Sequence, residues 1–117
     1  MRKILFIAAT AIVSLAALAG CDSTPASKPL DQLTAQESHG REIFMARCSA
    51  CHFDRSSQAL QGPALKGVFK KQYLPSGAPA NDDRVTATIL HGRTMMPPQG
   101  DIAPQDLSDL LAYMHSL

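Results

Sequence analysis

The sequence predicts an all-helical protein whose helices are joined by long loops. Three observations lead to this fold class. No segment shows the alternation of apolar and polar residues that is typical of strands. Thr34 and Glu37 form a T-x-x-E capping box, which marks the start of a helix. Near the C-terminus, apolar residues recur at the i, i+3, i+4, i+7 spacing of a buried helix face, namely Leu107, Leu110, Leu111 and Met114.

The N-terminal residues have the layout of an export signal. Arg2 and Lys3 precede an apolar stretch over residues 4–18, and small residues lead from there to Cys21. The apolar stretch is shorter than the run of about 20 residues that a membrane-spanning helix needs, which favours a cleaved signal over a retained anchor.

The segment LAGC, which ends at Cys21, resembles the lipobox of bacterial lipoproteins. The resemblance implies a lipoprotein signal peptide over residues 1–20 and a lipid on the sulfur of Cys21. We therefore expect the protein on the periplasmic side of a membrane, anchored through Cys21. Asp22 resembles an inner-membrane retention signal of enteric-type bacteria. Prolines and small polar residues follow, and they predict that residues 21–34 form a flexible, lipidated tether.

Removing residues 1–20 leaves a small and weakly charged chain. It has nine basic and ten acidic side chains, a net charge of about −1, which argues against a nucleic-acid partner. It contains no Trp and only five large aromatic residues. Because domains of this size often need stabilisation beyond their side-chain core, we expect a cofactor to fill part of the interior.

Three helices are predicted in the remaining chain. The first runs over residues 35–50, and its Gly40 indicates either the close approach of another backbone or a glycine tolerated near the helix start. The second runs from Asp82 to His91 and ends at Gly92. The third begins at Pro104, a favoured first position. The segments between these helices are rich in turn-forming residues and are predicted to be loops.

The segment CSACH carries the chemistry of the chain. Cys48, Cys51 and His52 suit three kinds of site. A zinc site needs a fourth ligand, and a thioredoxin-like dithiol follows a strand, whereas this neighbourhood is helical. The third kind is covalent attachment of a c-type haem, for which C-x-x-C-H is the specific signal.

The spacing of CSACH suits a porphyrin. Side chains at i and i+3 of a helix lie about 5 to 6 Å apart on one face, so both sulfurs reach the same side of the macrocycle. The sequence therefore predicts one haem c with its iron, held by thioethers from Cys48 and Cys51 and ligated by His52.

A sixth iron ligand has several candidates. Met45 and Met114 fit helix faces and are interpreted as core residues, and the three other histidines as exposed or helix-end residues, although a second histidine ligand stays possible. The loop TMMPP offers Met95 and Met96. Adjacent side chains of an extended loop point to opposite sides, so only one of the two can bind.

The segments GREIFMARCSACH, GPALKG, GRTMMPP and LSDLLAYMHSL, in this order, resemble the small monohaem class I cytochromes c over about residues 37–117. The resemblance implies a cytochrome c domain at residues 35–117, with three to four helices and long loops wrapped around the haem. It implies Met96, directly before a proline, as the distal ligand, with Met95 as the alternative. It also implies that the Pro63 carbonyl accepts a hydrogen bond from His52. The residues that match the contact between first and last helices are Gly40, Phe44, Leu110 and Tyr113.

An iron held by histidine and a thioether has no vacant position, so electron transfer is the predicted function, and the chain is expected to be a carrier rather than an enzyme. We expect a periplasmic shuttle of single electrons between redox partners such as a membrane oxidase, reductase or dehydrogenase. The alternatives are a haem subunit of a dehydrogenase or oxidase complex, a haem with a labile methionine and weak peroxidase activity, and a gas sensor.

Charge is distributed unevenly along the chain. Residues 41–71 hold six basic and two acidic side chains, whereas residues 72–117 hold two basic and five acidic ones. The tightest basic group comprises Lys66, Lys70 and Lys71. This group is interpreted either as a surface that steers docking to an acidic partner or as a solvated loop.

Overall fold

The computed structural model describes residues 24–117 and is all-helical over that range. Its helices are α1 (Ala35–Arg47), α2 (Asp82–His91) and α3 (Pro104–His115). Two short 3-10 turns, Leu30–Gln32 and Val68–Lys70, interrupt the loops. The predicted signal peptide over residues 1–20 and the predicted lipid site at Cys21 lie outside the described residues.

Helix α1 begins as predicted and ends earlier than predicted. The Thr34 hydroxyl accepts a hydrogen bond from the Glu37 amide at 3.1 Å, and the Glu37 carboxylate accepts one from the Thr34 amide at 2.6 Å. At the other end, the Ser49 hydroxyl donates to the Met45 carbonyl at 2.7 Å, and the Ser49 amide donates to the Phe44 carbonyl instead. The serine side chain thus takes the Met45 carbonyl, which a backbone amide would need to continue the helical hydrogen bonds. The helix therefore ends at Arg47 rather than at residue 50.

The first and last helices pack closely at Gly40. A Cβ atom at this position would lie 1.9 Å from the Asp109 carbonyl oxygen and 2.9 Å from Tyr113 Cβ. Beside it, the rings of Phe44 and Tyr113 pack at a centroid distance of 6.0 Å. Of the two interpretations of Gly40, close backbone approach is therefore the correct one, and the predicted contact between the helices is confirmed.

The apolar core is small and is shared among the three helices. Tyr113 and Leu110 of α3 are almost fully buried against Phe44 of α1. Val85 and Ile89 supply the buried face of α2. This core forms the floor of a cavity, described below, because Val85, Ile89 and Leu110 also line that cavity.

A buried carboxylate joins α1 and α3. Asp109, 6 % exposed, accepts hydrogen bonds from Gln36 and Gln105, both at 2.9 Å, and lies 2.8 Å from His39 Nδ1. The hydrogen bond from His39, followed by that from Gln36, holds the pKa of Asp109 below its ordinary value. The same contact raises the pKa of His39 above its ordinary value of 6.5.

The His39 pair predicts a pH dependence of stability. Because the folded protein holds the His39 proton more tightly than the unfolded chain, this contribution is complete below pH 6.5 and is lost as pH rises through the raised pKa. The lowered pKa of Asp109 acts on the acid side instead, because its contribution to the stability of the fold is lost as pH falls below 3.8. We expect His39→Gln to reduce the fall of the free energy of unfolding at alkaline pH, as measured by urea unfolding. His91→Gln, at an exposed histidine, serves as the control and is expected to leave that fall unchanged.

The segment before α1 is fixed to the domain. The Lys28 amide donates to the Ser116 carbonyl at 2.7 Å, and the Lys28 ammonium lies 2.7 Å from the Glu37 carboxylate. Arg55 donates to the Lys28 carbonyl. The structure thus differs from the prediction of a flexible tether, because backbone and side chain of Lys28 both have partners in the domain. In residues 24–117, no helix has the length and apolar character needed to cross a membrane.

Candidate functional site

The CSACH segment forms a hydrogen-bonded turn directly after α1. The amides of Cys51 and His52 both donate to the Cys48 carbonyl at 3.0 Å. The turn therefore keeps a helical spacing of the two cysteines, although they lie beyond the last residue of the helix. All three side chains face one cavity.

The backbone of the following loop orients His52. Its Nδ1 lies 2.8 Å from the Pro63 carbonyl oxygen, which can only accept, so Nδ1 carries the proton and Nε2 presents its lone pair. Gly62 makes room for the ring, since a Cβ atom there would lie 2.3 Å from His52 Cε1. The result is an imidazole held in a fixed orientation, with Nε2 left to serve as the metal ligand.

A cavity of about 520 Å³ connects this turn with the rest of the domain. Its size lies within the range of about 300 to 1,000 Å³ that cofactor pockets occupy. The structure brings all the predicted haem-contacting residues to its walls, and these are Cys48, Cys51, His52, Pro63 and Met96. The donor set and the apolar floor fit a covalently held haem.

The methionine loop is a tight turn. Met96 and Arg93 exchange two backbone hydrogen bonds, of 2.9 and 3.0 Å. Gly92 permits this closure because its φ is 70° and a Cβ atom there would lie 2.4 Å from the Met96 carbonyl oxygen. Beyond the turn, Arg47 holds Asp101 at 3.1 Å. The end of α1 is thereby joined to the loop that carries Met96.

The candidate distal ligands differ in how far their side chains are buried. Met95 is 83 % exposed, whereas Met96 is partly buried and packs against the core. Met45 is half exposed and does not line the cavity, while Met114 lines it from within the core. Among the histidines of residues 24–117, only His52 lines the cavity. His39 and His115 lie 2.8 Å from Asp109 and 2.7 Å from Asp82, respectively.

The competing readings of CSACH find little support in the structure. Within residues 24–117, no group of three or more His, Cys, Asp or Glu side chains is arranged to hold a metal ion. Burial raises the pKa of the Cys48 thiol to about 11, and the neighbouring Cys51 adds to this while Arg47 opposes it. A redox-active dithiol needs the opposite shift, because the thiolate is the reactive species.

Comparison with known proteins decides the family. Residues 35–114, well over half of the chain, match the family described as cytochrome c oxidase, cbb3-type, subunit III. The chain belongs to this family of c-type cytochrome domains. It is a small monohaem class I cytochrome c with the all-helical cytochrome c fold, and it carries haem c, with its iron, covalently attached.

Relatives are found among cytochromes of bacteria. The cytochrome is 29 % identical to a cytochrome c-553-like protein of Synechocystis sp. over 73 % of this chain and 72 % of that one. It is 27 % identical to cytochrome c6 of Picosynechococcus sp. over 97 % of this chain and 92 % of that one. A third relative, cytochrome c oxidase subunit 2 of Alkalihalophilus pseudofirmus, is 27 % identical over 81 % of this chain but only 29 % of its own length. The cytochrome is thus an electron carrier rather than an enzyme, and it exchanges electrons with redox partners.

Several contacts of the cytochrome site were not predicted from the sequence. Gly62 and Gly92 are glycines because side chains would collide with His52 and with the Met96 loop. Asp54 accepts a hydrogen bond from the Tyr113 hydroxyl at 2.6 Å and so joins α3 to the segment after His52. A glycine directly before Pro63 was a usable signal, whereas no pattern in the sequence paired Asp54 with Tyr113.

The contact between Gly62 and His52 gives a testable prediction. In Gly62→Ala, the new methyl group displaces the imidazole and breaks its hydrogen bond to Pro63. Loss of such a supporting partner typically costs about 10- to 100-fold in metal-site affinity or activity, so we expect the yield of correctly ligated holoprotein to fall by about tenfold or more. Absorbance spectra of equal amounts of purified protein measure this. Gly100→Ala is the control, because its Cβ meets only the Leu90 carbonyl oxygen at 3.5 Å. An unchanged spectrum in Gly62→Ala contradicts the assignment.

Proposed function

We propose that this protein is a periplasmic cytochrome c in which Cys48 and Cys51 bind the haem through thioethers and His52 and Met96 ligate its iron. One observation carries the proposal. The imidazole of His52, whose Nδ1 is held by the Pro63 carbonyl at 2.8 Å, lines the same cavity as both cysteines and Met96.

The haem supplies one-electron redox chemistry when it is bound. The chain's own residues set the conditions for it. His52 presents Nε2 because Nδ1 is committed to Pro63, and Met96 offers a thioether, which favours the reduced iron relative to a second histidine. Buried Val85, Ile89 and Leu110 keep water from the floor of the cavity. His52 and Met96 would together hold the iron, so no position on the metal would remain for a substrate.

The proposal extends to location. Residues 1–20 are proposed to be a lipoprotein signal peptide, and Cys21 to carry the lipid that anchors the carrier at the periplasmic face, with Asp22 favouring the inner membrane. The basic start, the apolar stretch and the segment LAGC support this. Residues 21–34 are proposed to link the lipid to the cytochrome domain of residues 35–117. The partners proposed are a membrane oxidase, reductase or dehydrogenase, between which the protein shuttles single electrons.

A second candidate function is that of a haem subunit within an oxidase complex. The observation that favours it is the match of residues 35–114 to a family described as an oxidase subunit. Blue native electrophoresis of detergent-solubilised membranes separates the two. A shuttle is expected to migrate alone, and a subunit with a larger haem-containing assembly.

Mass spectrometry of protein made with an intact haem-maturation system tests the proposal as a whole. We expect the mass of residues 21–117 plus one haem and the acyl groups of a lipoprotein, with Cys48 and Cys51 unreactive to alkylating agents. The reduced protein is expected not to bind carbon monoxide at neutral pH. A chain without the mass of the haem, with both thiols alkylated, contradicts haem attachment, and rapid carbon monoxide binding favours a gas sensor.

A further inference from the structure

The described chain begins beside a short basic segment. We call residues 66–71, with the sequence KGVFKK, the lysine segment. Thr24 packs on it so closely that a Cβ atom at Gly67 would lie 2.7 Å from Thr24 Cγ2. The Lys70 ammonium donates to the Ala26 carbonyl at 3.4 Å. The chain therefore reaches the domain surface at the lysine segment.

This position is fixed by contacts farther along. The Lys28 amide donates to Ser116, its carbonyl accepts from Arg55, and its ammonium contacts the carboxylate of Glu37. These partners belong to three separate parts of the domain: the end of α3, the loop after CSACH, and α1. Because three parts of the domain hold one residue, the segment from Thr24 to Lys28 has little freedom to swing away from the lysine segment.

The chain length between the proposed lipid and this position is short. Thr24 is three positions after Cys21, and a chain spans at most about 3.6 Å per residue, hence about 11 Å here. The following inference rests on the proposed lipid at Cys21. Acyl chains at Cys21 enter the bilayer, so Thr24 lies at most about 11 Å from the lipid headgroups, a distance close to the Debye length of roughly 8 to 10 Å. The lysine segment packs against Thr24 at Gly67 and lies in the same region.

The charge of this region suits an anionic surface. Residues 55–81 contain four basic side chains and no acidic one. Lys70 and Lys71 are exposed. The next acidic residue along the chain, Asp82, lies 2.7 Å from His115 Nε2. Each lysine near an anionic membrane surface strengthens binding by about fivefold.

We propose that the lysine segment rests on anionic phospholipid headgroups and holds the cytochrome domain against the membrane in one orientation. Lys71 belongs both to this surface and to the rim of the cavity. One edge of the cavity therefore stays close to the bilayer, where membrane-embedded redox partners are reached by lateral diffusion. The protein does not swing freely on a long tether.

Amine labelling of the full lipidated holoprotein tests this orientation. The probes are vesicles of phosphatidylcholine alone and of phosphatidylcholine mixed with phosphatidylglycerol, and mass spectrometry measures acylation at each lysine. We expect labelling of Lys70 and Lys71 to slow by about fivefold or more in the mixed vesicles and to recover at high salt. Lys28, whose ammonium contacts Glu37 within the domain, is the internal reference.

Charge variants supply the matched comparison. Lys70→Gln combined with Lys71→Gln is expected to raise the labelling of Lys66 in mixed vesicles to its rate in phosphatidylcholine. Arg84→Gln removes a positive charge from an exposed position of α2, outside the lysine segment, and is expected to leave Lys66 protected.

Three outcomes overturn the inference. Equal labelling of Lys70 and Lys71 in both kinds of vesicle does so, as does protection that arises only after an acidic redox protein is added. In either case, an acyl mass on the intact protein shows that the lipid proposal stands and that the orientation alone is wrong. A mature chain without acyl groups removes the lipid proposal and this inference together, while a measured haem mass leaves electron transfer intact.

Discussion

Replacing Met96 by alanine is expected to abolish thioether ligation in the ferric protein. The physical reason is that Met96 is the methionine of the TMMPP loop that packs against the core and lines the cavity. Loss of a thioether removes stabilisation of the reduced iron, so we expect the reduction potential to fall by on the order of 0.1 V or more, within the range of about 0.8 V that axial ligands span. The checks are the long-wavelength band of methionine-ligated ferric haem and a potentiometric titration.

Met95→Ala is the matched control, since it removes the same side chain one position earlier. Met95 is 83 % exposed, so we expect the band and the potential to be retained. The reverse result, with the band lost in Met95→Ala and kept in Met96→Ala, requires exchange of the two assignments. Retention of the band in both variants points to Met114, which also lines the cavity, whereas absence of the band from the unsubstituted protein points to a histidine.

Gly40→Ala is expected to destabilise the holoprotein by about 3 kcal/mol or more. The added methyl group would lie 1.9 Å from the Asp109 carbonyl oxygen, which is backbone and cannot rotate away. The two helices must therefore separate, and the contact between Phe44 and Tyr113 loosens. Overpacking of this kind typically costs about 1 to 3 kcal/mol, occasionally more, and here it opposes rigid backbone. Guanidinium unfolding followed by far-ultraviolet circular dichroism measures the change.

Gly100→Ala makes the same chemical change at a glycine with room to accept it. Its Cβ would meet only the Leu90 carbonyl oxygen at 3.5 Å, an ordinary contact distance. We expect a change of no more than about 0.5 kcal/mol, because the site has neither strain nor burial. Similar losses in both variants would mean that general chain effects, rather than the helix crossing, explain the result.

Local patterns in the sequence predicted most of the fold. The capping box at Thr34 and the proline at position 104 mark helix starts that depend only on neighbouring residues, and both were confirmed. Helix α2 has the predicted bounds. Gly92 directly follows its last residue and has a φ of 70°, which does not continue a right-handed helix. The predicted end of α1 was wrong by three residues. The Ser49 hydroxyl takes the Met45 carbonyl in place of the Ser49 amide, and hydrophobic periodicity does not reveal such a competition.

The site was predictable where a motif spans few residues, and less so where distant segments meet. CSACH and TMMPP are local, and the structure brings both to one cavity. The contacts of Arg47 with Asp101 and of Tyr113 with Asp54 join residues more than fifty positions apart. A single sequence holds no record of such pairs. The same holds for Lys28, whose partners at Ser116 and Arg55 turn a stretch with tether composition into an ordered segment.

The packing of α1 against α3 also has a consequence for the order of assembly. Tyr113 and Leu110 cover the apolar face of α1, so that face has no partner until the last part of the polypeptide has been delivered. A chain that emerges N-terminus first thus presents its CSACH turn before the helix that closes the domain can dock. Attachment of the haem at the two cysteines can therefore begin before α3 docks.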